Sequence, residues 1–387
     1  MLELVREIKD FCRFFWRTPG VKRGIVFYAE DGGFYPYFEG LINELISNYK
    51  QDIYYITSGR GDPVLKSHPF KLKPFYLNKL LPIFMPLVKC GVFAATLNDL
   101  HRLHIKRSIY DVHYVYVPHT LVSTHMVFRF GALDYYDSIL CAGPRHMEEI
   151  IKSEQLYGLK PKELVNAGYY RLERIFKKYH ARGASADVRA GGKKTVLVAP
   201  SYGKNNVIES CGEKLAGMLL KSGYKVVVRP HPETTKRFPA LINRLRERFF
   251  ANPDFLIDES IESDEQTIRA DVLVSDYSGI SLEYAFGTER PVLFIDVPLR
   301  VNNPRYKELG LEPIEISLRG EIGLVLSPEK IDLAPDFVLK LIAEKEKYRE
   351  KIIGLRQKYI YSFGRSSEIG AEHIMSHLFA RRENDTL

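Results

Sequence analysis

The chain has 387 residues, of which 45% are hydrophobic and 27% charged, and its formal net charge is +8. That length exceeds one ordinary core and implies two domains, and the composition is that of a globular protein. A positive balance suits nucleic acid, an anionic membrane surface or an anionic substrate, and does not choose among them. The four cysteines, Cys12, Cys90, Cys141 and Cys211, form no CxxC pair, so neither a zinc knuckle nor a disulfide framework is indicated and a reducing cytoplasm fits.

Residues 2–17 set Leu4, Val5, Ile8, Phe11, Cys12, Phe15 and Trp16 at helical spacing, with Arg6, Lys9, Arg13 and Arg17 between them. The pattern predicts an amphipathic helix, either packed on its own domain or lying on anionic lipid. Glu7, Lys9, Asp10 and Arg13 interrupt the apolar stretch a signal peptide needs, and no run approaches a membrane span. Strand 24–29 follows, then the turn Glu30-Asp31-Gly32-Gly33 and a helical pattern through Leu41, Leu45 and Ile46. The stretch 70–93, basic, aromatic and broken by proline, reads as a loop packed on the core or dipping into a membrane. Further strands are expected at 52–57, 92–96, 114–117, 138–141 and 164–167.

Between 174 and 194 the pattern collapses into Lys, Arg, Ala and Gly. Beyond it, strands at 195–199, 225–228, 255–257, 272–275 and 292–295 alternate with helices, and a charged helical pattern over 336–377 closes the chain. The expected division is one α/β domain over 1–175, a linker over 176–194 and a second α/β domain over 195–387. Strands alternating with helices give parallel sheets, and two Rossmann-like halves facing a cleft are the simplest architecture.

Two segments carry most of the chemistry. Val226-Val227-Val228-Arg229-Pro230-His231-Pro232 delivers a cation and an imidazole to the carboxyl end of a strand, where open α/β sheets place their ligands. There Arg229 is expected to fork onto a phosphate while His231 donates a hydrogen bond or transfers a proton. In the second segment, Asp271 to Glu283, a buried strand runs into a hydroxyl-rich turn and a helix. The Ser278 hydroxyl and the N–H groups of Gly279 and Ile280 are positioned to cap a diphosphate, with Asp276 or Ser278 also able to serve as the helix's own N-cap. Glu283 is a candidate acceptor for ribose hydroxyls, and Ser201 and Lys204, in Ala199-Pro200-Ser201-Tyr202-Gly203-Lys204, offer a hydroxyl and a cation to the same edge. In the first domain Val117-Pro118-His119-Thr120 again ends a strand in a histidine. Glu30, Gly32, Gly33, Ser123 and His125 complete an acceptor-side set. Across a cleft, His119 would deprotonate an acceptor hydroxyl while His231 steadies the leaving phosphate.

These residues resemble the CDP-glycerol glycerophosphotransferase family of teichoic acid and capsule assembly. The resemblance rests on Arg229-Pro230-His231-Pro232, on Asp271 through Gly279, on Gly287 through Phe294, and on Asn166-Ala167-Gly168-Tyr169-Tyr170-Arg171. It departs at Thr120, where the family usually has glycine after its histidine, and at Tyr170, where proline is usual. What it implies is an α/β, GT-B-like fold, a CDP-linked donor such as CDP-glycerol held by the C-terminal domain, and functional histidines at 119 and 231. It also implies a lipid-linked glycan acceptor at the anionic inner face of the bacterial membrane, reached by a cytoplasmic, peripheral enzyme. No cofactor and no metal enter this scheme, and no convincing Asp-x-Asp or His/carboxylate set appears in the sequence. The alternatives are a GT-B glycosyltransferase using a nucleotide sugar, a sugar-nucleotide epimerase, and a non-catalytic protein binding membrane or nucleic acid. No recognition motif favours nucleic acid as a partner.

Overall fold

The computed structural model describes residues 2–18, 24–182, 192–260 and 263–384. Residues 183–191, the glycine-rich heart of the expected linker, lie outside the described residues. Contacts divide the chain into two compact units: one gathers the residues up to His119, Phe128–Arg171 and those from Ile360 onward, the other Thr120–Val127 and Leu172–Tyr359.

The first unit is built on a seven-stranded parallel sheet of order β3-β2-β1-β4-β5-β6-β7. Its strands are β1 Ile25–Ala29, β2 Ile53–Thr57, β3 Leu72–Tyr76, β4 Val92–Ala95, β5 His113–Tyr116, β6 Ser138–Leu140 and β7 Glu163–Val165. Apolar runs without alternation, such as Ile25-Val26-Phe27-Tyr28-Ala29, are buried along their whole length, as strands covered on both faces require. β3 falls in the stretch expected to be a loop. Pro74 interrupts its pattern, but β3 is an edge strand pairing only with β2, where a missing N–H is tolerated.

Helix Leu2–Trp16 packs against β3, with Glu7 and Asp10 turned inward. Glu7 accepts from the N–H groups of Asn78 (3.1 Å) and Leu80 (2.9 Å), and Asp10 from that of Tyr76 (2.9 Å). Phe14 joins Tyr54, Phe75 and Phe84 in an aromatic cluster. Consequently Leu4, Val5, Ile8 and Trp16, four of the seven residues of the expected apolar stripe, remain exposed.

Helix Ser366–Asn384 also belongs here, contrary to the expected assignment of 195–387 to the second domain. Ala371, Ile374, Met375 and Leu378 share a core with Phe27, Leu41 and Val92. Gly370 permits this close approach, since a Cβ there would sit 2.5 Å from Leu41 Cδ2.

The second unit holds a six-stranded parallel sheet of order β10-β9-β8-β11-β12-β13. Its strands are β8 Thr195–Val198, β9 Lys225–Val228, β10 Phe255–Ile257, β11 Val272–Ser275, β12 Val292–Ile295 and β13 Gly323–Leu326. Strand order reverses between β8 and β11, as it does between β1 and β4 in the first unit, which makes both sheets Rossmann-like. The chain passes from one unit to the other at Arg171–Leu172, inside helix Tyr170–Ala181, so residues 176–181 of the expected linker are helical.

Candidate active site

In the second unit, the loops after β9, β8 and β11 leave the carboxyl edge of three adjacent strands, so their first residues lie within about 10 Å of one another. A carboxylate and a hydroxyl stitch two of these loops together. Asp276, fully buried, accepts from the backbone N–H of Ser201 (2.8 Å) and from its hydroxyl (3.0 Å), and burial raises its pKa. Ser275 Oγ donates to Ala199 O at 2.7 Å. Asp276 and Ser201 therefore hold the two loops to each other, and their polar atoms are already engaged.

Arg229 is likewise engaged. Its Nε and Nη2 both donate to Asp258, the former at 2.9 Å, and Nη1 donates to Thr267 Oγ1 at 2.9 Å. Burial alone would raise the Asp258 carboxyl, but hydrogen bonds from Ser260 and Arg229 and the guanidinium charge hold it below the usual range. The phosphate fork expected at Arg229 is thus an internal ion pair that fixes the loop leading to His231.

His231 is the N-cap of helix Pro232–Arg237, and its Nδ1 accepts from the N–H of Glu233 at 3.2 Å. An accepting Nδ1 puts the proton on Nε2, so the ring is a neutral donor. Its pKa is lowered to about 4, first by burial and then by the Arg300 charge. The imidazole lies 4.5 Å from the Tyr202 ring, over whose face the Arg300 guanidinium sits at 3.3 Å. Arg300 donates to Tyr202 O (3.1 Å) and Asn302 Oδ1 (3.1 Å). This Tyr202-Arg300 shelf was not read from the sequence. The signal was available, because Arg300 follows β12 at the same edge by the logic applied to Arg229.

Ser278 stands at the N-cap of helix Gly279–Thr288, but its side chain makes no capping bond, which leaves the hydroxyl and the first N–H groups of the helix for another acceptor. Glu283 is buried in that helix, while Lys204 is exposed. Gly203 between Tyr202 and Lys204 takes φ +116°, a turn that glycine accommodates without strain.

In the first unit His119 follows β5 within an aromatic box. Its ring stacks on Phe128 (5.7 Å, 11°) and meets Phe34 and Tyr37 edge-on. Nδ1 lies 3.0 Å from Tyr116 Oη. Burial and then the charge of His146 lower its pKa to about 4. In the tautomer that donates Nδ1–H to Tyr116, Nε2 carries a lone pair and can act as a base. Glu30 is exposed at the end of β1, and Gly32 and Gly33 are buried in a turn that Asp31 caps by accepting from Gly33 N–H at 2.8 Å.

Ser123 and His125 are held within the second unit, where Glu315 accepts from Ser123 N–H (2.8 Å) and Oγ (2.7 Å). His125 Nε2 lies 3.2 Å from Leu311 O, and its carbonyl accepts from Asn303. Both are buried there. A cavity of about 980 Å³ in the second unit, lined by Thr195, Lys225 and Asp271 among others, lies toward the amino ends of the strands and not at the histidine edge.

Two Rossmann-like parallel sheets, each presenting a strand-end histidine, make an α/β, GT-B-like fold. Residues 125–300, a little under half of the chain, match the family described as CDP-Glycerol:Poly(glycerophosphate) glycerophosphotransferase, in agreement with the resemblance read from the sequence. Among solved structures, the wall teichoic acid polymerase TagF, soaked with CDPG, is similar at TM-score 0.65 and 14% identity over 98% of this chain and 95% of that chain. The UDP-GlcNAc 2-epimerase of Methanocaldococcus jannaschii is similar at TM-score 0.53 and 13% identity, over 92% of this chain and 99% of that one. The sucrose-phosphate synthase of Thermosynechococcus elongatus gives 0.52 and 13%, over 93% and 100%. At these identities the structural likenesses establish the fold. No curated protein matches the chain in sequence.

Proposed function

We propose that the protein transfers a glycerophosphate, or a similar polyol phosphate, from a CDP-linked donor to a hydroxyl of a lipid-linked glycan in teichoic acid or capsule assembly. The observation that carries this reading is the difference between the two histidines: one is locked as an Nε2–H donor by Glu233, and the other can present an Nε2 lone pair beside Tyr116. In the proposed step, His119 takes the proton of the acceptor hydroxyl as its oxygen attacks the glycerol-bearing phosphorus. The bond to the bridging oxygen breaks and CMP leaves. His231 Nε2–H, the Ser278 hydroxyl and the N–H groups of Gly279 and Ile280 neutralise charge on the departing phosphates. Arg229 and Asp276 act as positioning residues. Glu283 and Lys204 are placed with the nucleotide, and Glu30, Gly32 and Gly33 with the acceptor.

The acceptor's lipid is proposed to bring the enzyme to an anionic membrane. Val5, 59% exposed, and Trp16, 74% exposed, share the outward side of helix Leu2–Trp16 with Leu4 and Ile8, and Ile83 and Leu87 of helix Leu81–Leu87 are exposed as well. Arg6, Lys9 and Arg17 add positive charge. No helix among the described residues is long and apolar enough to cross a membrane.

Incubation with CDP-glycerol, UDP-sugars and CMP-sugars, following the nucleotide released, tests the reading. CMP from CDP-glycerol supports it. Nucleoside diphosphate from a UDP-sugar, or CMP from a CMP-sugar alone, would replace it with sugar transfer, and isomerised sugar with epimerisation.

A further inference from the structure

At the amino-terminal edge of the first sheet, the edge opposite His119, four metal-ligating side chains gather. His113 opens β5, Glu163 opens β7, and His373 and His377 lie one turn apart on helix Ser366–Asn384. One ligand atom from each lies within 4.8 Å of all the others. His377 Nε2 is 2.8 Å from Glu163 Oε2, and His373 Nδ1 is 3.8 Å from Glu163 Oε1. The His113 and His377 rings stack at 3.6 Å.

The hydroxyl of Ser138, buried at the start of β6, lies between two of the rings, 2.9 Å from His113 Nε2 and 2.8 Å from His373 Nε2. A hydroxyl oxygen has two lone pairs and can accept from both Nε2–H groups. Each of these rings then keeps its lone pair on Nδ1, the tautomer a metal requires, held by an outer partner as ligating histidines usually are.

We propose that His113, Glu163, His373 and His377 form a binding site for a divalent transition metal, with zinc the ion best suited. Three imidazoles and one carboxylate match the tetrahedral nitrogen and oxygen preferences of zinc, whereas magnesium and calcium favour oxygen ligands. Ligand atoms on a tetrahedral zinc stand about 3.3 Å apart, given bonds of about 2.0–2.1 Å. The present spread of 4.8 Å closes to that by side-chain rotation, which takes His377 out of its stack on His113. Bound there, the metal pins the C-terminal helix to β5 and β7. Exposed Glu163 gives the ion its way in.

The test uses the full chain, stripped with chelator and titrated with zinc chloride by calorimetry, with cobalt substitution read by visible absorption. One equivalent of zinc should bind, cobalt should give the intense bands of four-coordination, and the melting temperature should rise with zinc. His377→Ala and, as a variant that keeps side-chain size, Glu163→Gln should each weaken binding at least tenfold. Absence of saturable binding at one equivalent overturns the proposal. So does unchanged affinity in Glu163→Gln and in whichever His377 variant folds, since the metal would then be held elsewhere.

Discussion

Thr120 Oγ1 lies 2.5 Å from the point where a Cβ on Gly279 would be. The structure joins the two positions: the side chain absent from 279 leaves space that the one at 120 occupies. Gly279→Ala should therefore overpack the start of helix Gly279–Thr288 and cost about 1–3 kcal/mol in urea denaturation. Thr120→Gly in the same chain should recover most of that loss, and a double-mutant cycle with no coupling would show that the two positions are independent.

His119→Ala and His231→Ala should each lower kcat by about 10²–10⁴-fold while circular dichroism stays unchanged. Turnover retained in either variant removes that histidine from the mechanism.

The same histidines make the fold acid-labile. Each has a folded pKa of about 4 against 6.5 for the unexposed-to-protein value, so between those limits the unfolded chain binds more protons than the native one. Their stabilisation is complete above 6.5 and is lost as pH falls toward 4. Denaturation midpoints should drop across that interval, and more shallowly in His119→Phe than in the parent protein. Equal slopes would contradict the assignment.

Breaking the ion pair between Arg229 and Asp258 strands a buried charge. Asp258→Ala should cost about 3–5 kcal/mol, whereas replacing both partners by apolar residues should cost much less. If Arg229 instead binds donor phosphate directly, Arg229→Met with Asp258→Leu will fold well but show a greatly raised KM for the donor.

Exchanging Val5, Ile8 and Trp16 together for serine should leave the melting temperature nearly unchanged, because these side chains are exposed. It should reduce cosedimentation with phosphatidylglycerol vesicles. Unaltered sedimentation would assign membrane binding to another surface.

The strand ends at Val228 and Ser275 are legible in the sequence because a continuous apolar run stops abruptly at polar residues, and that local signal suffices to place His231 and Ser278 at one sheet edge. Partners chosen at a distance are not legible. Arg229 reads as a ligand for phosphate until Asp258, 29 positions on, takes its guanidinium, and Ser123 reads as a site residue until Glu315 takes its hydroxyl. β3 is hidden because Pro74 breaks the strand pattern, a defect that only an edge position excuses. The His/carboxylate cluster escapes detection for the same reason of distance, since His377 and Glu163 are 214 positions apart.

The return of helix Ser366–Asn384 to the first sheet sets an order on biosynthesis. Apart from Thr120–Val127, the second unit is one uninterrupted stretch, and its sheet can close while the ribosome is still at work. The unit begun first is completed last. Until Ile374 and Leu378 emerge, the apolar side of Leu41 and Val92 stays uncovered, and the nascent protein carries a half-built lobe.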